Sequence, residues 1–175
     1  RRAVNRQIVA VAFAIVSALW LVACQRGDPV QRQVLVFGRG ADSVGLDAAH
    51  EEDGESFKVA ELIFDTLVQY TQESTDIEPG LATSWTSREE GLVWEFELRE
   101  GVKFHDGSDF SAEDVKASYD RIIFPEGELV SGRKTNFGAV SSVNIIDPLT
   151  VEFKLDAPRG PGWMLTAMAH GWNVI

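Results

Sequence analysis

Histidine is the side chain best suited to proton transfer near neutrality, and this chain has three, His50, His105 and His170. They are far apart in sequence, and none sits in a metal-ligand spacing. A His/Asp pair stands in Lys103-Phe104-His105-Asp106-Gly107, where an acid could in principle orient a general base. Neighbours in a turn usually point apart, so the pair reads as a surface turn. The sequence has no Gly-x-Ser-x-Gly, no Walker loop and no His-Glu-x-x-His. Catalytic signatures are thin, and these residues point to no catalytic group, no metal site and no cofactor. Gly38-Arg39-Gly40-Ala41-Asp42 offers a different chemistry. Two glycines around one arginine allow close backbone approach to a ligand, or simply a tight turn.

Cys24, the lone cysteine, ends a leader of characteristic layout. Arg1, Arg2 and Arg6 form a positive region, and Ile8 to Ala23 then run without a charge, as in a secretory signal peptide. Leu21-Val22-Ala23-Cys24 resembles a bacterial lipobox, whose cysteine is diacylated on sulfur before cleavage. The thiol has no disulfide partner in the chain. An uncleaved membrane anchor is the alternative, but the run is at or below the roughly 20 residues a spanning helix needs. The expected organisation is a lipoprotein signal peptide at 1–23, lipidation at Cys24, a polar tether over 24–33 and a folded body over 34–175. Such a protein is held by membrane lipid on the periplasmic or cell-surface face of a bacterial membrane. The chain begins at Arg1 rather than Met, and it ends at Ile175 with helix and hairpin faces short of partners, which suggests a truncated chain.

The chain carries 16 basic and 27 acidic residues, a net charge of −11, and without residues 1–23 the balance is 13 against 27, or −14. That argues against a nucleic-acid partner, which needs a basic face. A body of this size can bury enough surface for one compact domain, expected to be a monomer.

Several elements must position any site. Val34-Leu35-Val36-Phe37 is an apolar run stopped by Gly38, expected to be a buried strand. Val59, Leu62, Ile63, Phe64 and Leu67 recur at helical spacing from Glu55, predicting an amphipathic helix through about Val68. Leu92, Trp94, Phe96 and Leu98 alternate with Val93, Glu95, Glu97 and Arg99, as in a strand with one buried face. Glu100-Gly101 predicts a turn, with Val102-Lys103-Phe104 starting a return strand. Ser111-Ala112-Glu113-Asp114 is a capping-box pattern, so a helix should run to about Ile123 with Val115, Tyr119, Ile122 and Ile123 inward, ended by Pro125. Glu126 to Phe137 reads as a mixed loop. Val140 to Ile146 and Thr150 to Leu155 form a hairpin around Asp147-Pro148, and Trp163 to Met168 a short helix.

Leu81-Ala82-Thr83-Ser84-Trp85, the block from Gly91 to Gly107, and Phe110-Ser111-Ala112-Glu113-Asp114-Val115 together resemble the signature of the family 5 solute-binding proteins. These are the oligopeptide- and dipeptide-binding proteins of ABC importers. Ile63 to Val68 resembles the helix found upstream in that family, and Asp147 to Phe153 its following hairpin. The likeness covers about residues 34–175. Two turn positions depart from the pattern: Ala48 follows Leu46-Asp47 where a proline is frequent, and Asp109 precedes Phe110 where a small residue or proline is usual.

The resemblance implies an α/β fold like that of the type II periplasmic binding proteins, of which this chain holds a partial first lobe, a mixed sheet with flanking helices. It implies an importer component that captures peptides outside the cytoplasmic membrane and hands them to the ABC permease. Another solute, such as a nickel complex or an oligosaccharide, is the alternative within the family, and a secreted lipoprotein enzyme the alternative outside it. Gly38, Arg39, Gly40, Ala41 and Asp42 are the candidate ligand-binding residues, because in relatives the matching segment lends backbone groups to an extended peptide. Asn136 and Phe137 are further candidates.

Overall fold

The computed structural model describes residues 34–127, 130–171, 173 and 175. The leader, the tether and Cys24 lie outside the described residues. The chain divides into two units, 1–38 and 39–175. Of the first, the described part is Val34 to Gly38, which forms no strand. Its four apolar side chains are 72–90 % exposed, contrary to the buried strand expected there. Strand propensity yields a strand only where a second backbone completes the ladder, and none does among the described residues.

In the second unit a loop from Arg39 leads to helix α1, Gly54–Ile63. The two-stranded antiparallel pair β1, Val68–Tyr70, and β2, Ile77–Pro79, comes next. The main sheet holds β3, Ala82–Arg88, β4, Val93–Leu98, β5, Val140–Asp147, and β6, Thr150–Leu155. Its order is β3-β4-β6-β5, with every neighbour antiparallel. Helix α2, Ala112–Ile123, enters between β4 and β5, and α3, Pro161–Ala169, follows β6. No helix among the described residues is long and apolar enough to cross a membrane.

The core explains the layout. Alternation along the strands turns Trp94, Phe96, Val151, Phe153 and Val143 inward, all nearly or fully buried. Tyr119 of α2 meets Phe153 edge-on at 5.0 Å and Phe137 at 5.4 Å between ring centroids, and Phe153 meets Phe96 at 5.6 Å. Helix α2 has the predicted ends and buries the four predicted residues. Ser111 Oγ accepts from the Glu113 amide at 3.2 Å, and the Asp114 carboxylate accepts from the Ser111 amide at 2.8 Å. The β5–β6 hairpin also forms, its turn closed by Asp147 Oδ1, which accepts from the Leu149 amide at 2.8 Å.

Three other expectations give way to tertiary pairing. Helix α1 ends at Ile63 rather than Val68, because the carbonyls of Thr66 and Leu67 accept from the amides of Leu81, Gly80 and Ala82. Leu67 and Val68 are then buried beside β2, while Leu62 is left 80 % exposed and the buried helix positions are Ser56 and Ala60. No return strand forms at Val102–Phe104. Both edges of β4 are already taken, by β3 and β6, so residues 102–110 close on themselves through the Phe104–Ser108 and Val102–Phe110 backbone bonds. Within the expected loop, Lys134–Phe137 is a short 3₁₀ turn that puts Phe137 in the core.

Candidate functional site

Of the five candidate residues, Gly38 belongs to the first unit and Arg39 to Asp42 belong to the second. Gly38, Gly40, Ala41 and Asp42 are exposed. None of the five makes a backbone hydrogen bond among the described residues, so their N–H and C=O groups stand available to an extended chain.

Arg39 behaves differently from its neighbours. Its guanidinium donates to the Glu55 carbonyl at 3.3 Å and lies 3.6 Å from the Asp42 carboxylate. The arginine therefore ties the segment to the start of α1, and the flanking residues are left to present backbone. The following loop is held from the same helix: buried Ser56 Oγ accepts from the Val44 and Gly45 amides at 3.0 and 3.3 Å.

Asp53 caps α1, its Oδ1 accepting from the Glu55 and Ser56 amides at 3.1 and 2.8 Å. An aspartate just before an apolar-periodic stretch is a cap signal in sequence as well. Hydrogen bonds from Ser56 hold the Asp53 carboxyl below the usual aspartate range.

Farther along, Asp47 is gripped by Arg121 of α2 through two hydrogen bonds, one of them 2.6 Å, and Ala48 and Ala49 are buried in the turn that follows. The His50 ring lies 3.4 Å from the Val130 carbonyl, and Arg133 donates to the Glu51 carbonyl at 2.8 Å while its guanidinium sits 4.6 Å from the Phe57 ring centre. Ion pair, cap and crossing contacts together brace the 39–53 loop.

The His105-Asp106 pair is not assembled. The Asp106 carboxylate accepts from the Ser108 amide at 2.9 Å and hydroxyl at 2.7 Å, which lowers its pKa and closes the turn. No bond joins His105 to Asp106 among the described residues, and no group of three His, Cys, Asp or Glu could hold a metal ion there. Asp109, the unusual residue before Phe110, pairs with Lys103 at 2.5 Å across the same turn. Of the two further candidates, Phe137 is fully buried against Tyr119 and is a core residue. Asn136 is half-buried and borders a groove beside α3.

Known proteins are similar to this chain in sequence and fold. The probable D,D-dipeptide-binding periplasmic protein DdpA of Escherichia coli K12 is 32% identical over 150 residues, which are 83% of this chain and 28% of that protein. The glutathione-binding protein GsiB of Shigella dysenteriae is 33% identical over 157 residues, 90% of this chain and 29% of that protein. Among solved structures, the Helicobacter pylori periplasmic binding protein DppA in complex with the peptide STSA aligns with a TM-score of 0.67 and 32% identity, over 78% of this chain and 29% of that one. The chain thus spans less than a third of the length of these relatives. Its fold is a part of the type II periplasmic-binding-protein fold. The family described as bacterial extracellular solute-binding proteins, family 5 Middle, matches residues 76–174, and this chain belongs to it.

Proposed function

We propose that this chain is part of the substrate-binding component of an ABC importer, which captures peptides outside the cytoplasmic membrane and delivers them to the permease. The observation that carries the reading is the run Gly38 to Asp42, whose exposed backbone groups are unpaired among the described residues. A backbone-presenting segment binds peptides irrespective of side chain. Sequence likeness to dipeptide- and glutathione-binding proteins, and to a binding protein solved with a peptide, supports the same ligand class.

The work is binding and release, not bond making. Ligand selects a closed state, and the closed state is the one the permease accepts. Residues 1–23 act as the signal peptide, Cys24 is acylated, and residues 24–33 tether a monomeric body near the permease, which raises its local concentration there. Labelling with radioactive palmitate, lost in Cys24→Ser, checks the anchor. A C. jejuni homologue solved with Ni(L-His) makes a metal complex the second ligand to try.

The test is a thermal-shift screen of the full chain against di- to pentapeptides, Ni²⁺ with histidine, and oligosaccharides. A ligand at a hundred times its Kd stabilises by about 2.7 kcal/mol, which such a screen detects. Stabilisation by peptides is the expected outcome. A response to metal or sugar with none to peptide would replace the ligand class.

A further inference from the structure

Eleven lysines and arginines lie among residues 34–175. Nine of them donate to a carboxylate or carbonyl, as Arg88 does to Glu95 and Arg99 to the Gly80 carbonyl. In so acidic a chain a cation left without an acid needs a reason. The two remaining are Lys134 and Arg159, and the side chain of neither makes a hydrogen bond or ion pair among the described residues. They stand on the two elements that border one groove, Lys134 opening the 3₁₀ turn that carries Asn136 and Arg159 leading into α3.

The groove has a volume of about 270 Å³ and is lined by Asn136, Gly162, Trp163, Thr166, Ala167 and His170. Its chemistry is mixed. Trp163 supplies a half-buried indole, with the Arg159 guanidinium 5.6 Å from the ring centre. A guanidinium lying over an aromatic ring keeps its N–H edges free for a carboxylate. The side chains of Asn136 and Thr166 make no hydrogen bond among the described residues, so an amide donor and acceptor and a hydroxyl remain for a ligand. The His170 ring is set edge-on to Tyr70 at 5.7 Å, which fixes the far wall. A Cβ built on Gly162 would meet nothing within 4 Å, so that side of the groove is open.

We infer that this groove is a subsite for the carboxylate end of a peptide whose last residue is aromatic. The aromatic ring stacks on Trp163, the carboxylate meets Arg159, and Asn136 and Thr166 hydrogen-bond the last peptide group. The inference rests on the peptide-binding reading and assigns one part of the ligand to one part of the surface.

Titration calorimetry on the full chain tests it with Gly-Gly-Phe, its C-terminal amide and Gly-Gly-Ala. A charge-assisted hydrogen bond contributes about 1.5–3 kcal/mol, so wild type should prefer the free acid over the amide by roughly tenfold or more. Arg159→Gln should erase that preference, and Gly-Gly-Ala should bind wild type more weakly than Gly-Gly-Phe. Equal binding of acid and amide by wild type, or an acid preference that survives Arg159→Gln, overturns the subsite and leaves the peptide reading standing. Binding of none of the three peptides overturns both.

Discussion

Tyr119→Phe should make the protein more stable, although it deletes a polar group from the centre of the fold. Tyr119 is fully buried, and its hydroxyl has no hydrogen-bond partner among the described residues. Its ring makes nearly perpendicular contacts with Phe153 and Phe137, at 86° and 89°, and phenylalanine keeps both. What is lost is a hydroxyl desolvated without compensation, a penalty of about 1–3 kcal/mol. With a urea m-value of about 1–3 kcal/mol/M, the variant's midpoint should rise by on the order of 1 M.

Alkaline pH gives an independent check of the same group. Burial pushes the Tyr119 pKa well above the ordinary tyrosine value, so the folded state keeps its proton where the unfolded chain loses it. The unfolded state then binds fewer protons, and stability falls as pH rises above about 10, by up to about 1.4 kcal/mol per pH unit from this residue. The variant should lack that part of the decline. A Tyr119→Phe protein less stable than wild type by 1 kcal/mol or more would mean that the hydroxyl is bonded in solution, and the argument from an unsatisfied group would fail.

Other substitutions probe the supports of the candidate site and of the sheet. Ser111→Ala should cost about 1 kcal/mol in urea unfolding, because it removes one half of the capping box on α2. Gly91→Ala should destabilise by more than about 1 kcal/mol: Gly91 has φ +92°, and an added Cβ would lie 2.3 Å from the Arg159 carbonyl oxygen. Asp47→Asn should cost no more than about 1 kcal/mol at pH 7, since the pair with Arg121 is partly exposed. Its sign with pH is fixed by the Arg121 hydrogen bond, which lowers the Asp47 pKa. The stabilisation is present above about pH 4 and fades as pH falls through the lowered value, so wild type and variant should converge in acid denaturation curves.

What could be read from sequence was whatever is decided locally. Helix α2 is legible to the residue because Ser111 and Asp114 specify its start, the inward residues follow one face, and Phe124-Pro125 stops it. The β5–β6 hairpin is legible because Asp147 supplies its own turn acceptor. Val102 to Phe104 carries the same apolar cue as a strand, yet whether it pairs depends on β6 occupying the edge of β4, some fifty residues downstream. Leu67 and Val68 continue a helical spacing that only the backbone of residues 80–82 overrides. In the candidate site, glycines at 38 and 40 pointed to backbone presentation. The part Arg39 plays was hidden, because its hydrogen-bond acceptor is a carbonyl on α1. The groove beside α3 was equally hidden, since Asn136 and Trp163 meet only once the 3₁₀ turn and α3 come together.

The central claim, that the protein captures peptides and leaves them intact, is tested most directly by calorimetric titration of the full chain with the tetrapeptide Ser-Thr-Ser-Ala, followed by mass spectrometry of the recovered ligand. The account predicts saturable one-to-one binding and a tetrapeptide of unchanged mass. Absence of binding, or recovery of cleaved peptide, would contradict it.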